Sequence, residues 1–153
     1  MKKLILLFLA VVTITANAQT RSELELIKDI FKVEKKAVVG DFLKLTDEQA
    51  SKFWPIYDKY EAERGEIATM RVDNITNYVN QYLTLTDEQA DVLAKKALEI
   101  DTKSLALTKK YYKIMAKELG ALKAASFMQL EEYIGIAIDA SLYDNLPLVG
   151  ENN

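Results

Sequence analysis

The hexapeptide Leu45-Thr46-Asp47-Glu48-Gln49-Ala50 recurs, residue for residue, as Leu85-Thr86-Asp87-Glu88-Gln89-Ala90. In each copy a Thr is followed three residues later by a Gln, just ahead of a long apolar-periodic run. That is the capping-box pattern of a helix start: the Thr hydroxyl accepts an orphan backbone N–H, and the Gln side chain returns to the cap's own N–H. Asp and Glu in the first turn lie at the positive end of the helix dipole. Leu45 and Leu85 stand where a hydrophobic staple packs onto that turn. Two identical copies, forty residues apart, predict two long helices opening at Thr46 and Thr86. Capping accounts for Leu45, Thr46, Gln49, Leu85, Thr86 and Gln89, so these six are read as fold markers rather than ligand contacts.

Outward from the boxes, the chain reads as helix throughout. Its only prolines are Pro55 and Pro147, and glycines are sparse. A first segment carries Leu24, Ile27, Phe31, Val38 and Phe42 at helical spacing, with Leu26, Ile30, Val33 and Ala37 as a second stripe. The second helix bears Phe53, Trp54, Tyr57, Tyr60, Ile67, Ile75, Tyr78 and Tyr82. The third repeats Leu93, Ala97, Ile100, Ser104, Leu107, Tyr111 and Ile114 in steps of four and three, a narrow seam of coiled-coil type. A fourth, shorter helix holds Phe127, Leu130, Ile134, Ile138 and Leu142. At roughly 30 residues each, the second and third helices would be about 45 Å long, against a radius of about 13 Å for a compact hundred-residue domain. The expected fold is therefore all-α: a four-helix elongated hairpin with two long antiparallel helices, each opened by an LTDEQ box, and a shorter helix at each end. A thin core leaves helix surface that a homodimer would cover. Pro55, inside the second helix, predicts a kink that costs about 3 kcal/mol against Ala.

Residues 1–18 read as an address. Lys2 and Lys3 form a basic n-region, Leu4 to Val12 an apolar h-region, and Ala16-Asn17-Ala18 a small-x-small cleavage site. The apolar run is about half of the ~20 residues a membrane span needs, so no stable anchor is expected. With no cysteine anywhere in the chain, a lipid anchor on cysteine is excluded. The expectation is export to the periplasm with cleavage after Ala18, a helical domain over 19–143 and a flexible tail over 144–153.

Composition narrows the chemistry. The leader's two lysines carry no acidic counterpart, so its removal takes the net charge from −3 to −5, which argues against nucleic-acid partners. Without Cys there is no disulfide or thiol chemistry, and without His the commonest general base and metal ligand are missing. Adjacent carboxylates such as Asp87-Glu88 or Glu131-Glu132 diverge by about 100° on a helix and chelate poorly. The expectation is no enzyme, no cofactor and no metal.

The paired LTDEQ boxes, the four helices, the export signal and the missing catalytic residues together resemble the periplasmic LTxxQ family (Spy/CpxP-like). Lys52-Phe53-Trp54-Pro55-Ile56-Tyr57 and Lys123 to Glu131 look closest to exported LTxxQ-like proteins described as sensors associated with extracytoplasmic sigma factors. The resemblance implies a dimeric cradle that binds unfolded or partly folded envelope proteins without ATP. Alternatively, it implies an envelope-stress module that occupies a membrane signalling partner. Cradles of this family are described as basic, whereas this chain is acidic overall.

Within that reading, contact residues are sought among amphipathic rings and lysines. Eight tyrosines supply apolar rings with polar tips. Trp54, Tyr57, Tyr60, Tyr111 and Tyr112, with Lys103, Lys109, Lys110 and Lys113, form the candidate binding set. The blander reading of the lysines is a solvated helix face. Arg64 and Arg71 fall on or near the apolar stripe of the second helix and are expected to pair with Glu residues or to reach into a dimer contact.

Overall fold

The structure, a computed structural model, describes residues 21–143 and 146–150, with side chains from Lys32 onward. The leader 1–18 and its cleavage site lie outside the described residues, as does part of the 144–153 tail. Among the described residues the chain is helical with no strand. The described residues form four α-helices: α1 (Arg21–Leu43), α2 (Asp47–Gln81), α3 (Asp87–Leu119) and α4 (Ala121–Tyr143). The two long helices have 35 and 33 residues, and α1 and α4 have 23 each, as the sequence pattern predicts.

Each long helix starts one residue after its Thr. At Thr86 the capping box is complete: Gln89 N–H donates to Thr86 Oγ1 at 3.3 Å, and Thr86 N–H donates to Gln89 Oε1 at 2.9 Å. Leu45 and Leu85 are half-buried, as staple positions require. Helix α2 continues through Pro55 without a break, and a 3₁₀ turn, Tyr82–Thr84, leads to the second box.

Two helix stops escaped the periodicity. Lys44 has φ +45 and its N–H bonds to the Gly40 carbonyl at 3.2 Å, the left-handed cap that closes α1. Gly120 separates α3 from α4 by itself. Its N–H donates to Ala116 O at 3.1 Å while its own carbonyl accepts from Ala124 N–H at 3.2 Å. One residue thus closes one helix and opens the next, at φ +88 and ψ 153, a region open essentially to glycine alone.

The chain divides into two compact units. One contains α1 and α4 from Ser126. Its buried residues are Lys35, Val39 and Leu43 on α1 and Phe127, Leu130 and Ile134 on α4. The α4 row matches the sequence expectation, with Ile138 and Leu142 half-buried. Of the expected α1 stripes, Leu24, Leu26, Ile27, Ile30 and Phe31 lie outside the described side chains, and the remainder does not match. Val33 and Phe42 are exposed, and the buried row runs 35–39–43, beginning at a lysine that a hydrophobic pattern passes over.

The other unit contains α2, α3, the first turn of α4 and Leu146–Gly150. Partner positions fall on α3 as they rise on α2: Glu63 bonds Lys110, Met70 meets Lys103, Arg71 pairs with Asp101 at 2.8 Å, and Asn74 donates to the Leu93 carbonyl. Phe53, Tyr57 and Tyr60 are buried on α2, and Ile100, Leu107, Tyr111 and Met115 on α3. The α3 seam holds through Tyr111 and then takes Met115 where a strict four-three repeat has Ile114, which is exposed. An α-helix repeats every 3.6 residues, so a 3.5-residue seam drifts by about 20° per heptad until a second step of four restores it. Tyr78 Oη donates to the Pro147 carbonyl at 2.7 Å and holds the tail segment to α2.

Candidate protein-binding surfaces

Around Pro55 the rings of Phe53, Trp54 and Tyr57 form a three-way cluster with centroids 5.0 to 5.6 Å apart. Tyr60 and Tyr111 meet edge to face at 5.3 Å. Tyr111 Oη donates to Glu63 Oε1 at 2.8 Å, and Lys110 Nζ donates to both oxygens of the same carboxylate at 2.6 and 2.7 Å. Lys110 Nζ also lies 5.1 Å from the Tyr111 ring centroid. Burial, and then the hydrogen bond to Glu63, push the Tyr111 phenol up to about 12. Hydrogen bonds from Lys110 and Tyr111 hold the Glu63 carboxyl below its usual range.

This geometry revises part of the expected contact set. Tyr57, Tyr60 and Tyr111 are buried, so their rings serve packing in the folded chain and are not open to a partner. Trp54 is half-buried and Tyr112 is exposed. The helical period alone separates Tyr111 from Tyr112 by about 100°, putting one ring in the seam and the next outside it.

The lysines of α3 are exposed, Lys96 being half-buried, and four of the seven are matched. Lys110 is held by Glu63, Lys95 by Asp91 at 2.6 Å, and Lys96 and Lys103 by Glu99 at 2.9 and 2.8 Å. Hydrogen bonds from Lys103 and Lys96 hold the Glu99 carboxyl at about 2. Lys109 and Lys113 are exposed and make no ion pair with the described residues. The face is solvated and laced with ion pairs that water screens and that contribute little to stability, rather than a continuous basic surface. Arg64 pairs with Glu61 at 3.0 Å one turn away, and Arg71 reaches Asp101 on α3.

The open apolar surface lies elsewhere. Helix α4 carries only Lys123, Glu131, Glu132 and Asp139 as charges in 23 residues. Its inner row, Phe127, Leu130 and Ile134, is buried. The outer row is apolar too, with Tyr133 49%, Ile136 62% and Tyr143 55% exposed, and Ala140 exposed between them. A helix apolar on all sides is normally enclosed; here one side is open. On α3 a second open row has Leu98 66%, Leu105 54% and Tyr112 39% exposed.

Of these residues only Tyr112 was in the expected set. The signal for α4 was present in its sequence, since Tyr133, Ile136, Ala140 and Tyr143 repeat at helical spacing beside the Leu130–Ile134–Ile138 row. Two apolar rows on one helix exceed what a thin core can take up.

Among the described residues no group of three metal-ligating side chains converges, and no helix is long and apolar enough to cross a membrane. Compared with known protein families, characterised proteins and solved structures, the chain matches none at a significant level.

Proposed function

We propose that this chain is an exported, periplasmic protein-binding protein, an ATP-independent holdase of Spy/CpxP type without enzymatic activity. The observation that carries the reading is the outer face of α4, where Tyr133, Ile136 and Tyr143 present apolar surface on a helix whose inner face is already buried. Scattered exposed hydrophobics are ordinary, whereas a contiguous apolar row on a folded chain marks an interaction surface. Two of its three large side chains are tyrosines, whose apolar bodies and polar tips suit adaptable contact with varied segments. Residues 1–18 supply the export signal, and the paired LTDEQ boxes supply the family likeness. In this reading α2 and α3 form an antiparallel hairpin, which the falling order of their contact partners supports.

Light scattering of an aggregating client, with the purified protein titrated in without ATP, tests this reading. Suppression at near-equimolar ratio is expected. Ile136→Lys and Tyr133→Lys, both at exposed positions, should raise the ratio needed several-fold. No suppression at large excess of folded protein sinks the holdase reading. The envelope-stress module would then be tested by crosslinking to a single membrane partner.

A further inference from the structure

We infer that α2 carries a peptide site at Tyr78 and Tyr82, filled in the folded chain by its own Leu146–Gly150 segment. The site's outside ligand is an unstructured segment of another protein with a proline between two aliphatic residues. Apolar positions run the whole length of α2 and α3, yet their burial is uneven. Phe53, Tyr57 and Tyr60 on α2 and Ile100, Leu107, Tyr111 and Met115 on α3 are buried. From Ala62 to Glu99, across the 3₁₀ turn, no described residue is buried. Ile67, Ile75, Tyr78 and Tyr82, with Leu93 and Ala97, keep helical spacing there and are half-buried. Two helices cover each other on one side only, so an apolar seam between them needs a third wall.

At Tyr78 that wall is irregular chain. Leu146 and Pro147 are half-buried, and Tyr78 Oη donates to the Pro147 carbonyl at 2.7 Å. Proline has no N–H, so its carbonyl is the one backbone group it has to satisfy. The Tyr82 ring follows one turn later, its centroid 6.4 Å from that of Tyr78. Aromatic-lined grooves take proline-containing segments with such parts. The hydroxyl meets main chain, and Leu148 and Val149 stay 76% and 69% exposed, so the contact demands little of the flanking side chains. A helical or sheet segment would not compete, because its carbonyls already accept backbone N–H groups. Leu146-Pro147-Leu148 therefore defines the ligand class. The site shares no residue with the outer face of α4 and does not depend on the holdase reading.

A tethered occupant acts at an effective concentration of about millimolar, so it masks the site from an outside ligand of weaker effect. The probe is a fluorescein-labelled peptide of residues 144–153, followed by anisotropy against the full chain. A Leu146→Asp/Pro147→Asp chain, whose own segment no longer fits, should bind the probe at least about tenfold tighter than the unmodified chain. Adding Tyr78→Phe, which keeps the ring and removes the hydroxyl, should weaken that binding about two- to tenfold. An unrelated unlabelled peptide carrying Ile-Pro-Val should displace the probe. In the otherwise unmodified chain, Tyr78→Phe should let thermolysin cut before Leu148 or Val149 several-fold faster, with helicity unchanged. No saturable binding to the Leu146→Asp/Pro147→Asp chain overturns the proposal. So does equal affinity for the two chains, a probe that the Ile-Pro-Val peptide leaves bound, or a cleavage rate that Tyr78→Phe leaves unchanged.

Discussion

Lys35 and Glu131, 96 residues apart in the chain, meet at 2.8 Å with side chains only 1% and 8% exposed. The pair ties α1 to α4 at a level where every other buried residue of the unit is apolar. Removing water from two charges is offset only while both are present. Lys35→Met should therefore lose about 3–5 kcal/mol by removing the buried cation that the Glu131 carboxylate faces. The double variant Lys35→Met/Glu131→Leu should recover most of that loss. Denaturant midpoints followed by far-ultraviolet circular dichroism check both; a double variant no more stable than the single would mean that the charge pair is not what the site depends on.

Tyr111 makes stability depend on alkaline pH. Its phenol is pushed up to about 12 because burial disfavours the phenolate and its proton is donated to Glu63. A group whose pKa is raised on folding stabilises fully below its unfolded value of about 10. That contribution should disappear between about 10 and 12. Ultraviolet titration should find one tyrosine ionising near the top of that window. Glu63→Gln should bring it down, yet not to the ordinary value, since burial is the larger cause. Glu63 has the opposite sign: its lowered pKa stabilises at neutral pH, and the effect is lost as the solution becomes acidic.

Gly120→Ala tests the junction of α3 and α4. An added Cβ would meet nothing within 4 Å, so the cost is one of backbone conformation alone. At φ +88 and ψ 153 that cost should be about 1–3 kcal/mol. A neutral result would show that the helices join in some other conformation.

Met115 and Ile114 test where the α3 seam runs. Met115 is fully buried and Ile114 is exposed, although Ile114 continues the four-three repeat. Met115→Ala should cost about 2–5 kcal/mol, and Ile114→Ala under about 1 kcal/mol. The reverse ranking would restore the strict heptad.

From sequence alone the helices and most of their boundaries could be read, because caps, helical period and the scarcity of breakers act locally. Thr86 and Gln89 form the box their spacing predicts, and the α4 row Phe127–Leu130–Ile134 is buried as its period requires. The single-residue joint at Gly120 is local too, but a lone glycine announces a stop only when its φ is known. What tertiary structure decided was which face each helix buries. Lys35 lies in the buried row, where it meets Glu131 from 96 positions away. Tyr57, Tyr60 and Tyr111 became core while Tyr133, Ile136 and Tyr143 stayed open. Both sets offer the same rings and aliphatic groups, so hydrophobicity could not rank them. Burial depends on what packs against a helix, and that partner is set by the whole chain rather than by the helix's own residues.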